Sequence, residues 1–369
     1  MHVTKKNLFI VNTPFHLLTS FILANSCFKQ EENYLALIHP HGYERWADNP
    51  VLRYMSSTES GYKQVFPLGN CWSSRHKEKT YKEQTDDIKA SIGQLAIDDV
   101  FLGSDIDVQN QLLASALGKE EFYRYEDGLY SYYNENRRRS FGDMLFHKFK
   151  IKVVQWLSGI HSKMYINTST ASDSRAGRGD FMYYPELLQR FSPDVKEISK
   201  AMIIEALAEL GQNGLMPKEI EKKSILYLSQ PLVEQKKITL AEEFAILKGI
   251  CDRLDESCQL LYKPHPNDSQ YKLDFYRKEL PDMKLYTSLK PVELVFASEE
   301  HIAAVMSYQS TALLTAGKFS PRVLPVISLA GFYREPLHQA YIDIMKGAGV
   351  LFPKSVEALL QVLPVKSTK

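Results

Sequence analysis

The sequence predicts an α/β protein with two Rossmann-like domains that face each other across a cleft. Short apolar segments typical of buried strands alternate with segments of helical periodicity, which favours parallel sheets covered by helices. This alternation occurs twice along 369 residues, a length that itself suggests two domains. We therefore expect an N-terminal domain at residues 1–190 and a C-terminal domain at residues 191–369.

The N-terminal domain is predicted to begin with a strand followed by a helix. NLFIV at 7–11 has the composition of a buried strand, and Thr13-Pro14 provides a helix N-cap followed by proline at the first helical position. Further strands are predicted at YLALIH 34–39, DDVFLGS 98–104 and FYRY 122–125. The pattern loosens at 135–195, and the domain linkage is placed near 183–195.

The C-terminal domain has the clearer pattern. SILYLS at 224–229 is a predicted strand, and a helix at 239–254 opens with a capping box formed by Thr239 and Glu242. Two more helices are expected from Pro291 and from Ser310. The remaining predicted strands of this domain are QLLYK 259–263, IAAVMSY 302–308, RVLPVIS 322–328 and VLF 350–352.

Composition limits the class of protein and its compartment. The formal net charge of +1 argues against a general nucleic-acid binder. Asn12, Thr13, Pro14 and His16 interrupt the apolar N-terminal run, which favours a strand and helix over a signal peptide. We expect a cytoplasmic protein without a membrane span. Four cysteines without CxxC spacing fit a reducing compartment and provide no zinc ligand set: Cys27, Cys71, Cys251 and Cys258.

Four polar segments fall where an open parallel sheet binds its ligands, outside the carboxyl ends of predicted strands. They are Glu126-Asp127-Gly128, Pro264-His265-Pro266, Glu293 and Ser310-Thr311. The prolines restrict the loop around His265. Ser310 and Thr311 precede a helix, where they favour an anion or form a simple N-cap. Glu293, in a first helical turn, complements the helix dipole or accepts hydrogen bonds from a ribose.

The order and spacing of these segments resemble the bacterial sialyltransferases. The resemblance rests on four segments: EDG at 126–128, KPHP at 263–266, PVEL at 291–294 and SYQST at 307–311. That family carries an acidic-acidic-Gly motif, an HP motif and a Ser-Ser/Thr motif on a GT-B fold. The opening NLFIVNTPFHLL is similar to the start of the lipooligosaccharide and capsule group, which includes polysialyltransferases. The resemblance extends from residue 7 to roughly 330.

The resemblance implies a role for each motif residue. Asp127, before Gly128, would be the general base for the acceptor hydroxyl, with Glu126 as the alternative base. His265 would be the general acid, or the phosphate stabiliser, at the leaving CMP. A further set would bind substrate, with Glu293 on the ribose, Ser310 and Thr311 on the phosphate, and the backbone around Lys263 and Pro264 on the cytosine. His16, one turn into the first helix, contacts a sugar or serves packing.

These roles imply inverting, metal-independent transfer of sialic acid from CMP-Neu5Ac to a galactose-terminated or sialylated glycan of a bacterial lipooligosaccharide or capsule. CMP has one phosphate, so a histidine and a helix N-terminus offset its charge, and no cofactor or metal is expected. The alternatives are a polysialyltransferase, a capsule transferase that uses CMP-Kdo, and a non-catalytic nucleotide-sugar or glycan-binding protein.

Three further segments allow more than one interpretation. SDID at 104–107 is interpreted as a polar loop rather than a metal motif, and HPHG at 39–42 is a weak metal pattern. The basic run of Arg137 to Arg139, followed by Lys148, Lys150 and Lys152, is ranked first as a solvated face. Its second interpretation is peripheral association with the anionic inner membrane, and its third is attraction of a polyanionic acceptor.

Overall fold

A computed structural model describes residues 4–38, 46, 48–68, 80–105, 107–133, 141–160, 177–216, 218–288, 290–332 and 337–364. The chain divides into two compact units, Met1–Leu215 and Met216–Lys369. Each unit contains one parallel sheet with helices between its strands, as in Rossmann folds. The predicted fold class, an α/β protein of two Rossmann-like domains of the GT-B type, is therefore confirmed.

In the described part of unit 1, seven parallel strands pair in the order β3-β2-β1-β4-β5-β6-β7. The strands are β1 (Lys6–Val11), β2 (Glu32–Ile38), β3 (Tyr62–Leu68), β4 (Asp99–Leu102), β5 (Phe122–Tyr125), β6 (Gly177–Met182) and β7 (Val195–Glu197). The helices are α1 (Pro14–Asn25), α2 (Pro50–Met55), α3 (Tyr81–Ser91), α4 (Val108–Ala116), α5 (Phe141–Ser158) and α6 (Lys200–Gln212).

In the described part of unit 2, five parallel strands pair in the order β10-β9-β8-β11-β12. The strands are β8 (Lys223–Leu228), β9 (Cys258–Lys263), β10 (Met283–Leu285), β11 (Ile302–Ser307) and β12 (Val326–Ser328). The helices are α7 (Leu240–Cys251), α8 (Gln270–Glu279), α9 (Val292–Ser298), α10 (Ala312–Phe319), α11 (Gln339–Gly347) and α12 (Val356–Leu360).

Local sequence signals explain where the first helix of the site begins. Thr13 adopts an extended conformation, and its Oγ1 accepts a hydrogen bond from the N–H of His16 at 3.1 Å, with Pro14 at the first helical position. The Thr239 and Glu242 capping box opens α7 as expected. Both strands that precede these caps, β1 and β8, are buried over most of their length, because helices cover both faces of a parallel sheet.

The end of unit 1 lies further along the chain than the sequence indicates. The predicted linkage at 183–195 instead belongs to unit 1, because β7 pairs with β6 in the same sheet and α6 packs on α1. The contact-based division therefore falls between Leu215 and Met216 rather than after residue 190. Short polar strands such as VKE in β7 have no apolar periodicity that would reveal them.

Other strands differ from the expectation for identifiable reasons. The sequence prediction omits β3, whose residues Lys63 and Gln64 are exposed, and β6, whose Asp180 is buried. Asp180 accepts hydrogen bonds from Arg124 at 2.8 Å and Arg190 at 2.7 Å, so a charged strand is buried through ion pairing. The strand predicted at 322–328 covers only Val326–Ser328 in the structure. The strand predicted at 350–352 is a single β-bridge between Leu351 and Ile327.

Candidate active site

In each unit, the order of the strands reverses at one point of the sheet. The reversal lies between β1 and β4 in unit 1 and between β8 and β11 in unit 2. Ligands of open α/β sheets bind outside the carboxyl ends of the strands at such a point. His16 follows β1, and the pair Ser310-Thr311 follows β11, so three sequence-predicted residues lie beside these two reversal points.

His16 is hydrogen bonded to Asp127, the second carboxylate of the motif after β5. Nε2 of His16 lies 2.5 Å from Oδ1 of Asp127. Because a carboxylate oxygen accepts, Nε2 carries the proton in this contact. The His16 side chain is buried at 2% exposure, whereas the Asp127 side chain is 35% exposed. A buried imidazole therefore orients a carboxylate that is partly exposed to solvent, as in sites where a third group orients a base.

The surroundings of His16 fix its ring. The ring of Tyr125 meets it edge-on, with centroids 5.6 Å apart and an interplanar angle of 84°. The backbone of Gly103, just after β4, approaches so closely that an added Cβ would lie 2.5 Å from Nε2 of His16. His16 thus packs in the unit and also contacts Asp127. Contact of His16 with a sugar stays a prediction.

Glu126 differs from Asp127 in its environment. Its side chain is fully buried, and its Oε2 accepts hydrogen bonds from the hydroxyl of Tyr132 and from the N–H of Tyr183 at 2.9 Å. Burial, followed by the charge of Glu126, raises the pKa of Tyr132 well above its ordinary value, so the phenol stays a donor. Glu126 therefore links the loop after β5 to the chain after β6, and Asp127 is the more exposed carboxylate of the motif.

Gly128 allows the turn that follows the two carboxylates. Its φ of 96° and ψ of −153° lie in a region that glycine adopts readily and other residues rarely do. Within this turn, the N–H of Asp127 donates to Oγ of Ser131 at 2.7 Å. Three residues that support this loop or its histidine have no distinctive sequence signal: Ser131, Tyr132 and Gly103.

The SDID segment serves the fold in two ways. Asp105 lies 3.4 Å from Arg124, and Asp107 caps α4 by accepting a hydrogen bond from the N–H of Gln109 at 2.8 Å. Burial and, more weakly, the charge of Asp127 raise the pKa of Asp107, while His16 and the cap hydrogen bonds oppose this. Within the described ranges, no group of three His, Cys, Asp or Glu residues forms a potential metal site. HPHG at 39–42 lies outside the described residues.

In unit 2, the loops after β8 and β11 meet through two glutamines. The N–H of Gln309 donates to Oε1 of Gln230 at 2.8 Å. The loop after β9, which carries His265, joins the loop after β8 through the N–H of Ser229, which donates to the carbonyl of Lys263 at 3.0 Å. These contacts bring the strand-end loops of the HP and Ser-Thr segments to one edge of the sheet.

The hydrogen bonds of His265 determine which ring nitrogen carries its proton. Nδ1 accepts from the N–H of Asn267 at 3.1 Å, so the neutral ring carries its proton on Nε2. Burial lowers the pKa of His265, and the charge of Asp268 only partly opposes this. The half-buried side chain is therefore a neutral ring with an Nε2–H donor in the free protein.

A buried ionic network, which the sequence patterns above do not predict, supports the His265 loop. Asp268 accepts from the N–H of His265 at 2.9 Å and lies 3.2 Å from Nζ of Lys272. Nζ of Lys272 also lies 2.9 Å from Oε2 of Glu243. The side chains of Asp268, Lys272 and Glu243 are each at most 1% exposed. Removing one member would leave an uncompensated buried charge. The i,i+4 spacing of Asp268 and Lys272 is the signal that points to this pair.

Lys263 and Glu293 are close enough to influence each other electrostatically. Nζ of Lys263 donates to the carbonyl of Ser288 at 2.6 Å, and burial lowers the pKa of Lys263 although Glu293 opposes this. Burial raises the pKa of Glu293, which accepts a hydrogen bond from Oγ1 of Thr315 at 3.1 Å. Pro264 follows Lys263 and is half-buried. The ribose and cytosine roles of these residues stay predictions.

Ser310 and Thr311 differ at the start of α10. Oγ of Ser310 accepts a hydrogen bond from the N–H of Ala312 at 3.2 Å, which is a capping contact. The side chain of Thr311 makes no capping hydrogen bond, although Thr311 directly precedes the helix. Ser310 therefore matches the N-cap interpretation, and the Thr311 hydroxyl has no such role.

Solved structures that share the fold of this chain include two epimerases and a transferase. A UDP-GlcNAc 2-epimerase from Methanocaldococcus jannaschii aligns with a TM-score of 0.56 at 12% identity, over 99% of this chain and 93% of that chain. A UDP-GlcNAc 2-epimerase from Neisseria meningitidis aligns at 0.53 and 13% identity, over 96% and 90%. Spinosyn forosaminyltransferase SpnP aligns at 0.52 and 14% identity, over 98% and 90%. Identities this low show the fold alone.

Two Rossmann-like units with polar residues at their strand ends define the GT-B fold class, which this chain shares with the epimerases and the transferase above. A comparison with curated proteins gives no sequence match. The model of the alpha-2,8-polysialyltransferase (POLYST) family matches residues 7–323, and the chain belongs to that family. The resemblance to bacterial sialyltransferases is thereby confirmed at the level of the family, and the chain is a sialyltransferase-type glycosyltransferase.

Proposed function

We propose that this protein is an inverting, metal-independent sialyltransferase that moves sialic acid from CMP-Neu5Ac to a hydroxyl of a bacterial surface glycan, such as a lipooligosaccharide or capsule. The acceptor ends in sialic acid or galactose, and the family favours the sialylated end. The observation that carries the proposal is the partly exposed carboxylate of Asp127, held by buried His16 at the strand ends of unit 1.

On the acceptor side, Asp127 takes the proton of the attacking hydroxyl. The hydroxyl oxygen forms a bond to the anomeric carbon of sialic acid as the bond from that carbon to the CMP phosphate oxygen breaks. The proton goes to Asp127, and the electron pair of the broken bond goes to the phosphate. A positioned base of this kind contributes about 10²- to 10⁴-fold in rate. Glu126 does not fit the role as well, because its side chain is fully buried and its Oε2 accepts hydrogen bonds from Tyr132 and Tyr183.

On the donor side, His265 donates its Nε2–H to the leaving phosphate. Its lowered pKa in the free protein favours phosphate stabilisation by a neutral donor over transfer of a proton from an imidazolium. The helix start at Thr311 adds, for the same phosphate, backbone N–H groups and a hydroxyl that makes no capping hydrogen bond. Glu293 would hold the ribose, while Lys263 and Pro264 would contact the cytosine. Charge on one phosphate is thus offset without a metal.

A polysialyltransferase that extends a sialic acid chain is the second candidate, and the family description favours it. It uses the same donor and base and differs only in repeated transfer to its own product. A length series of products from one sialylated acceptor separates the two candidates. A cytoplasmic location with peripheral association at the inner membrane remains a prediction from the sequence.

A donor panel with and without EDTA tests the proposal. We expect transfer from CMP-Neu5Ac to a sialylated or galactose-terminated oligosaccharide, equal rates with EDTA, and no reaction with UDP-, GDP- or ADP-sugars. Activity with CMP-Kdo alone would assign the protein to capsule transferases that use that donor. Metal-dependent use of a UDP-sugar would overturn the roles of Asp127 and His265 together.

A further inference from the structure

Helix α5 (Phe141–Ser158) has a buried face and an exposed apolar face. Val154 and Ser158 are buried, and Val154 packs in a small cluster with Leu112 and Ile160. Among the side chains of this helix that the structure describes, five large apolar ones are exposed and are here called the α5 apolar face: Leu145, Phe146, Phe149, Trp156 and Leu157.

Helical geometry aligns the most exposed of these residues. Leu145, Phe149 and Trp156 are separated by four and seven positions, so at 3.6 residues per turn they lie along one line. Their exposures are 53%, 68% and 79%. Single exposed apolar residues are common on protein surfaces, but a contiguous row of large ones marks an interaction site. The α5 apolar face therefore calls for a partner.

The basic residues of α5 indicate which kind of partner its apolar face binds. Lys152 is exposed and lies on the same line, three positions after Phe149 and four before Trp156. The sequence of α5 contains three lysines, Lys148, Lys150 and Lys152, and one acidic residue, Asp143, whereas the whole chain has a formal net charge of only +1. The preceding Arg137 to Arg139 lie outside the described residues. Two copies of α5 packed against each other would bring like charges together, which disfavours self-association. An anionic surface with an apolar interior complements the charge and the apolar row together.

We propose that the α5 apolar face docks onto an anionic lipid bilayer. The helix lies in the plane of the surface, with Phe149 and Trp156 at the boundary between headgroups and acyl chains, where aromatic rings are favoured. Lys152 extends its charged end to the lipid phosphates while its methylene chain stays along the apolar row. The proposal is independent of the reaction that the protein catalyses, and it would bring the enzyme to acceptors anchored in a membrane.

Flotation with lipid vesicles tests this proposal on the full chain. The test variant is Phe149→Ser/Trp156→Ser. The matched control is Phe191→Ser/Tyr271→Ser, which removes two aromatic side chains of similar exposure elsewhere on the chain. Phe191 is 81% exposed and Tyr271 is 74% exposed. One set of vesicles contains phosphatidylcholine alone, and the other contains phosphatidylcholine with about 30% of the anionic lipid phosphatidylglycerol. Circular dichroism and turnover with a soluble acceptor check that both variants fold.

We expect the wild-type chain and the control variant to float with anionic vesicles and the test variant to bind about tenfold or more weakly, because two large apolar side chains no longer leave water. Binding of the test variant at the wild-type level would overturn the proposal. Equal binding of the wild-type chain to neutral vesicles would overturn the anionic selectivity. If the wild-type chain does not bind vesicles but self-associates, and the test variant does not self-associate, the α5 apolar face is instead an interface between copies of this chain.

Discussion

His16 and Asp127 lie 2.5 Å apart between Nε2 and Oδ1, although 111 positions separate the two residues in the chain. The contact joins the helix after β1 to the loop after β5. Because the histidine is buried and packed against Tyr125, it restricts the orientation of the carboxylate. The proposed base is thus held by the core of unit 1, and its catalytic geometry depends on residues that do not contact substrate.

Asp127→Asn should fold normally and lose about 10²- to 10⁴-fold in kcat, because an amide of the same shape cannot take the acceptor proton. Initial rates with CMP-Neu5Ac and a sialylated acceptor measure the loss, and thermal unfolding checks the fold. Turnover within a few-fold of the wild-type value would remove Asp127 from the mechanism.

Glu126→Gln should act on stability more than on turnover. The buried carboxylate accepts from Tyr132 and Tyr183, so its loss should lower the free energy of unfolding by about 1–3 kcal/mol. Denaturant titration measures this change. Glu205→Gln, at an exposed ion pair with Lys29, is the control and should cost less than about 1 kcal/mol. A stable Glu126→Gln variant without activity would make Glu126 the base.

Gly103→Ala should reduce kcat without weakening CMP binding. The new Cβ would lie 2.5 Å from Nε2 of His16, so the imidazole must move away from Asp127. A displacement of about 1 Å near a reacting group costs about 10²-fold. Gly211→Ala, where an added Cβ meets nothing within 4 Å, is the matched control. An unchanged kcat in Gly103→Ala would show that the His16 contact is dispensable.

CMP binding should become pH dependent through His265. Burial lowers the pKa of this histidine in the free protein, and a bound phosphate would raise it, so binding takes up a proton. Affinity should then increase as pH falls from the bound-state pKa towards the free-state pKa, by about tenfold per unit of difference. His265→Gln keeps a donor but cannot be protonated. Calorimetry should therefore show a weaker pH dependence in His265→Gln, and identical profiles for both proteins would contradict the contact.

Ser310 and Thr311 should separate into a stability role and a binding role. Ser310→Ala removes the acceptor for the Ala312 N–H and should destabilise the protein by about 0.5–2 kcal/mol. Thr311→Val removes a hydroxyl without a capping role, so it should weaken CMP but not cytidine. Calorimetry with both ligands decides, since equal weakening would exclude a phosphate contact.

The sequence predicts those parts of the fold and site that depend on local chemistry. Thr13-Pro14 starts α1 as expected, and EDG and KPHP lie at the ends of β5 and β9 as the strand patterns indicate. Neighbouring residues determine caps and turns, so a short window of sequence contains the information.

Contacts between distant residues could not be predicted in this way. The pairing of His16 with Asp127 depends on the strand order of unit 1, which no single segment specifies. The sequence pattern does not reveal the buried strand β6, because its charged residue Asp180 is neutralised by two arginines outside the strand. Arg124 is distant in sequence, and Arg190 follows the strand. Such ion pairs replace the apolar pattern by which a buried strand is normally recognised.

The central claim is most directly tested by the product of a single reaction. The wild-type chain is incubated with CMP-Neu5Ac, a sialylated oligosaccharide and EDTA, and the product is analysed by mass spectrometry and NMR. The sugar in CMP-Neu5Ac is β-linked, so our account predicts an acceptor heavier by sialic acid in α linkage, and no such product with Asp127→Asn. A β-linked product, transfer only when metal is added, or full transfer by Asp127→Asn would contradict it.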